Sequence, residues 1–162
     1  MAATTKINSA LTEWDGPMGL PAFERIDDED FAAAFAAALP AHLAEIEAIA
    51  EDPAEPTFEN TIVALERSGD MYSRVSGVFW NLSGADTNDT LQALERDLSP
   101  ELSRHHSKIM MNGALFARVD ALYQARGSLG SDAEAARVLE LTWKAFVRSG
   151  ALLDADDQAR LA

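Results

Sequence analysis

Apolar residues in this chain recur at every third or fourth position, and that spacing constrains the fold more than any other feature. Phe31, Phe35, Leu39, Leu43, Ile46 and Ile49 form one stripe. Ile62, Leu65, Gly69, Tyr72, Ser76 and Phe79 form another, with a second row at Met71, Val75, Val78 and Leu82. Leu91, Leu94, Leu98, Leu102 and Ile109 make a third. A period near 3.6 gathers such residues on one side of an α-helix. No segment of useful length alternates with the period of two that a half-buried strand needs. The expected fold is therefore all-α, an up-and-down array of about five to six long antiparallel helices.

Proline, glycine and short polar residues divide the stripes. Residues 1–26 carry Gly16, Pro17, Gly19 and Pro21 without sustained periodicity, which predicts an irregular N-terminal arm anchored by Trp14 and Phe23. A helical domain is expected over 27–162. Asp27-Asp28-Glu29-Asp30 opens its first helix, since acids in the first turn suit the positive end of the helix dipole. Pro40 should kink or split that helix, because proline removes one backbone bond. Pro53 and Pro56 mark a connection, and Thr57 is the expected N-cap of a second helix reaching Leu82. Gly69 and Gly77 inside it cost about 1 kcal/mol each relative to alanine, so a neighbouring helix should approach closely there. A polar turn spans Gly84 to Asp89, and a third helix runs to Met111 with Pro100 interrupting it. Asn112-Gly113 closes that helix, and a short fourth carries Leu115, Val119 and Leu122 up to Gly127 and Gly130. Ser131 and Glu134 match a capping box for a fifth, which packs Leu139, Trp143 and Phe146 and stops at Gly150. Asp154 to Ala162 begins one more helix of about two turns, too short to be stable alone, and this reads as a truncated end.

Composition excludes several function classes. Of 162 residues 48% are hydrophobic, enough for a sizeable core, while the net charge is −14. The 13 lysines and arginines form no run, which argues against nucleic acid or an anionic membrane surface as partner. With no cysteine, disulfides, thiolate metal sites and a cysteine nucleophile are ruled out. The first residues lack a signal-peptide core, and no stretch is expected to be long and apolar enough to span a bilayer. The expected compartment is the cytoplasm.

Candidate ligand sets are sparse. His105 and His106 are adjacent, so on a helix they point about 100° apart and cannot grip one ion together. His105 shares the Leu98, Leu102 and Ile109 stripe and is expected to pack, with His106 in solvent. His42 and Glu45, spaced i and i+3, supply two ligands where a catalytic zinc takes three from the protein. Asp154-x-Asp156-Asp157 and Asp86-x-Asn88-Asp89 echo calcium loops but lack the glycine and glutamate such loops need, and read as helix starts. Tyr72, Phe79, Trp80, Trp143 and Phe146 lie at helical spacing, as core aromatics do. No residue is assigned to catalysis, cofactor or metal.

An ordered series of short motifs runs through the chain. Trp14-Asp15-Gly16-Pro17-Met18-Gly19-Leu20-Pro21-Ala22-Phe23 comes first, then Glu55-Pro56-Thr57-Phe58-Glu59-Asn60-Thr61-Ile62-Val63-Ala64-Leu65-Glu66-Arg67-Ser68-Gly69 and Val78-Phe79-Trp80-Asn81-Leu82. Thr87-Asn88, Leu102-Ser103-x-His105, Asn112-x-x-Leu115-Phe116 and Phe146-Val147-Arg148-Ser149-Gly150-Ala151 follow. The series resembles the N-terminal region of the thimet-oligopeptidase family of zinc metallopeptidases, in particular its bacterial peptidyl-dipeptidase and oligopeptidase A branch. Met18 and Ala22 depart from the family's opening.

The resemblance implies a neurolysin-like N-terminal helical domain forming one wall of a channel that admits short peptides. It implies zinc for the parent enzyme, held by two histidines and a downstream glutamate, with the glutamate of His-Glu-x-x-His as general base. None of the three histidines here is followed by glutamate, so that motif is absent and the chain alone is expected to be inactive. The implied partners are the C-terminal catalytic domain of the parent and short peptide substrates. The alternative is a free-standing acidic helical module that binds a peptide or protein. A self-sufficient metalloenzyme using His42, His105 and His106 is the third reading.

Overall fold

Capping side chains decide where the helices begin. The computed structural model describes residues 7–127, 130 and 132–161, and helices are the only regular secondary structure among them. The elements are α1 (Ser9–Thr12), α2 (Asp30–Ala50), a π turn (Phe58–Val63) continuing into α3 (Ala64–Arg67), α4 (Asp70–Ala85), α5 (Asp89–Met110), α6 (Gly113–Ala125), α7 (Ala133–Arg148) and α8 (Ala155–Leu161). Side-chain oxygens of Asn8, Thr57, Asn112 and Asp132 accept from the first-turn amides that a helix leaves unpaired. Asn88 does the same for Leu91 and Asp154 for Asp157, so both calcium-like segments are helix starts. The expected cap Ser131 lies outside the described residues, and the oxygen that caps α7 belongs to Asp132. The all-α expectation holds, with α2, α4, α5, α6 and α7 each 13 residues or longer.

The chain divides into two compact units, each assembled from two separated stretches. The first takes the residues up to His42 together with Gly69–Leu102. Its core comprises Leu11, Phe31, Ala34, Phe35, Val75, Val78, Phe79, Leu91 and Leu98. Phe79 meets the edges of two rings of α2, Phe31 at 5.2 Å and Phe35 at 5.5 Å between centroids. Such T-shaped pairs satisfy the ring quadrupoles and add about 1 kcal/mol each to the burial itself. Arg74 on α4 donates to the Thr12 carbonyl at 2.7 Å, and Asn8 donates to both Arg25 O and Asp30 Oδ2 at 2.6 Å. The arm is thereby built into this unit. Trp14 packs against the core as expected, but Phe23 is 43% exposed, and the buried residues of the arm are Leu11 and Ala22.

The second unit takes Leu43–Ser68 and the residues from Ser103 onward. Ile46, Ile62, Ile109, Leu115, Phe116, Val119, Leu122, Leu139 and Phe146 form its core. Phe116 and Phe146 stack at 6.0 Å, tying α6 to α7.

Neither helix-interior proline splits its helix. α2 continues through Pro40 and α5 through Pro100 without a break. Each proline forfeits one backbone bond, while apolar residues are buried on both sides of it: Phe35, Ala38 and Ile46 on α2, Leu98 and Ile109 on α5. Tertiary burial outweighs the local penalty. α2 corrects one expectation, since its 21 residues are long and apolar enough to cross a membrane by length and composition. Alanine supplies much of that character, and the large residues Phe31, Phe35 and Ile46 are buried in protein.

Gly69 and Gly77 occupy different environments. The expected continuous helix from Thr57 to Leu82 breaks at Gly69, whose φ of +72° is left-handed and ends α3 before α4 starts. A Cβ there would lie 2.9 Å from the His42 ring, so the close approach from α2 is real. Gly77 has no such neighbour and sits exposed on α4. The two positions should therefore respond oppositely. Gly69→Ala is expected to lower unfolding free energy by about 2 kcal/mol, from left-handed strain plus collision with His42. Gly77→Ala should raise it by about 0.5–1 kcal/mol by removing unfolded-state freedom. Urea denaturation of the two variants, read by circular dichroism, checks the pair of signs.

Candidate functional site

The three histidines occupy three different environments. His42 is half-buried on α2, its ring stacked on Tyr72 of α4 at 5.5 Å and lying against Gly69. His105 is 5% exposed, more deeply buried than its stripe suggested, and His106 faces solvent as expected. Glu45 is exposed. No group of three or more His, Cys, Asp or Glu side chains able to hold a metal ion occurs among the described residues. A catalytic zinc takes three protein ligands, so the described side chains do not fit one.

The expected aromatic set separates by burial. Phe79 and Phe146 are core, Tyr72 and Trp143 are half-buried, and Trp80 is 42% exposed with its ring against Phe79. Trp143 donates its indole N–H to Asp120 at 2.7 Å and stacks on Tyr123 at 4.2 Å, while the Arg126 guanidinium covers the far part of that stack 4.1 Å from the Tyr123 ring. This is a cation–π clamp on the α6–α7 pair. Burial pushes the Tyr72 phenol above its ordinary value of 10.0. The fold thus favours the neutral phenol. Its contribution is whole below pH 10 and is lost as pH rises through the higher folded-state value. The denaturation midpoint of the native chain should fall between about pH 9 and 11 more steeply than that of Tyr72→Phe. Parallel slopes would show that Tyr72 does not titrate differently on folding.

Arg118 escaped sequence reading, because one arginine on a helical stripe looks like a surface charge. It is 7% exposed, and its Nη1 donates to the carbonyls of Asp52 at 2.8 Å and Ala54 at 3.0 Å, with Asp52 Oδ2 3.4 Å from Nη2. The guanidinium fork thereby fixes the connection leading to Thr57. Only the proline pair at 53 and 56 hinted that this loop was specifically shaped. Arg118→Lys should cost about 2 kcal/mol, since an ammonium cannot bridge two carbonyls and a carboxylate from one buried position. A loss below the scatter of thermal melts would overturn the clamp.

Beyond that loop lies the π turn that opens the longest motif of the sequence. Thr57 and Asn60 cap each other, with Asn60 N to Thr57 Oγ1 at 3.1 Å and Thr57 N to Asn60 Oδ1 at 2.7 Å. Asn60 also donates to the Glu55 carbonyl at 3.1 Å, and Thr61 beneath it is fully buried. The Pro-Thr-Phe-Glu-Asn-Thr wording is thus accounted for by self-capping. Phe58, Ile62 and Val63 from this turn, with Ala135 and Val138 of α7, line a groove of about 320 Å³. Glu66, Arg67, Asp132 and Glu134 stand around it. In the first unit, Trp14, Gly19, Asp70, Ser73 and Arg74 line a more polar hollow of about 420 Å³. Arg74 is paired there with Asp70 at 3.0 Å.

Neither hollow assembles a nucleophile with a base and an orienting partner. No protein-family model matches the chain. It is 43% identical to the dipeptidyl carboxypeptidase of Escherichia coli (strain K12) over 157 residues, which is 97% of this chain and 23% of that protein. It is 46% identical to the dipeptidyl carboxypeptidase of Salmonella typhimurium (strain LT2) over 145 residues, 90% of this chain and 21% of that protein. The chain thus has peptidase relatives, and it spans less than a quarter of their length.

Proposed function

We propose that these residues form the N-terminal helical part of a zinc metallopeptidase of the thimet-oligopeptidase family, one that releases dipeptides from the carboxyl end of short peptides. The observation that carries this reading is identity of 43% sustained over 97% of the chain with a dipeptidyl carboxypeptidase. Likeness of that extent spans both units.

The chemistry is divided accordingly. The described side chains do not fit a zinc site, so no step of hydrolysis is assigned to them, and the metal and its base belong to other parts of such an enzyme. When bound there, zinc would polarise the water and the peptide carbonyl. What these helices contribute is a rigid wall that excludes folded proteins and positions extended peptide backbone. Their structural partner is the catalytic portion, and their ligand is short peptide. Net charge of −14 supports neither nucleic acid nor an anionic membrane as partner, and the buried phenylalanines of α2 favour a helix packed in protein. A cytoplasmic location is part of the same proposal.

The test is hydrolysis of an N-acylated tripeptide, followed by appearance of the free dipeptide. A polypeptide of the relatives' full length that contains this sequence should release it, with activity abolished by a chelator and restored by zinc. The 162-residue chain should release none under the same conditions. Zinc-dependent release by the short chain, or none by the long one, would overturn the reading.

A further inference from the structure

The groove between the π turn and α7 has a chemical character that nothing in the peptidase reading requires. Its floor is apolar: Ile62 is 1% exposed at the bottom, and Phe58, Val63, Ala135 and Val138 are half-buried around it. Its rim is acidic. Glu66, Asp132 and Glu134 bring three carboxylates, while Arg67, the one cation among the described lining residues, is engaged by Glu59 at 3.4 Å. Asp132 spends one oxygen on capping α7, through the amide of Ala135 at 2.8 Å. Glu66 and Glu134 make no ion pair among the described residues, and both are exposed. The backbone beneath is a π turn, a winding that is rare and recurs at functional sites.

Size and charge select the occupant. About 320 Å³ is the lower end of ligand-pocket volumes, room for one or two side chains and too little for a nucleotide cofactor. Anionic ligands are repelled by the rim. A second copy of this chain would bring its own net −14, so like charges oppose self-docking. We infer that the groove binds a short cationic peptide, with an apolar side chain on the Phe58–Ile62–Val138 floor and a flanking lysine or arginine at Glu66 and Glu134. The aliphatic stem of the basic residue extends the apolar contact while its head reaches the rim. The inference rests on the proposed function for its ligand class, short peptide, and adds the charge of that peptide and its seat; because it concerns binding alone, occupancy of the groove and cleavage by a longer polypeptide are read separately.

Two doubly blocked tripeptides test it: N-acetyl-Lys-Leu-Lys-amide and N-acetyl-Glu-Leu-Glu-amide, each titrated into the full 15N-labelled chain. The cationic peptide should shift the amides of Ile62, Val63, Ala135 and Val138 saturably, and the acidic one should not. The double substitution Glu66→Gln and Glu134→Gln, at exposed positions that leave the core intact, should weaken the cationic peptide by about fivefold. Absence of saturable shifts, equal binding of the two peptides, or unchanged affinity in the double variant would each overturn the inference. Shifts at these residues that depend on protein concentration alone would do so as well, by identifying a second copy as the occupant.

Discussion

Phe79 lies where the edges of two phenylalanines of α2 converge, and the first unit takes its geometry from that contact. An aromatic ring offers an edge and a face of opposite polarity, so two rings each held in T-shaped contact with a third admit few arrangements. Fixing Phe31 and Phe35 against Phe79 sets the rotation of α2 about its axis. That rotation then decides which residues of α2 meet α4 further along. His42 falls against Gly69 and Tyr72 as a result. A glycine is required where α3 gives way to α4 because the ring occupies the space a side chain would need. The glycine, the stacked histidine and the raised phenol are consequences of one packing choice.

The second unit depends on a different kind of constraint. Beside the stacked Phe116 and Phe146, most of its core is aliphatic, and methyl groups interdigitate in many ways. The buried guanidinium of Arg118 supplies the direction. By holding two consecutive-turn carbonyls, it places Thr57 where the reciprocal cap with Asn60 can form, and the π turn follows. A polar fork thus fixes a stretch that apolar contact alone would leave loose.

Helix type and position were legible because they rest on local rules. Periodicity located the stripes of α2, α4, α5 and α7, and the roles of Thr57, Asn88 and Gly150 follow from caps that act within a few residues. What failed was whatever depends on distant partners. Pro40 and Pro100 look like breaks until burial on both sides is counted. Gly69 and Gly77 look alike until one is found under an imidazole and the other in solvent. Phe23 looks like an anchor by its size, yet it is exposed and Ala22 is buried. Arg118 carried no signal at all, because a buried fork and a surface charge have the same letter.

The division of each unit into two separated stretches bears on how the chain can be made. Everything the first unit requires has left the ribosome once Leu102 emerges, whereas the second waits for the residues that close it from Ser103 onward. Until then Leu43–Ser68 has been synthesised without its partners, so Ile46 and Ile62 remain without their core while the neighbouring unit is already closing. No single cut between residues 43 and 102 leaves either unit whole. Any gene fusion, nick or premature stop in that interval therefore exposes two hydrophobic cores where an ordinary two-domain chain would expose one.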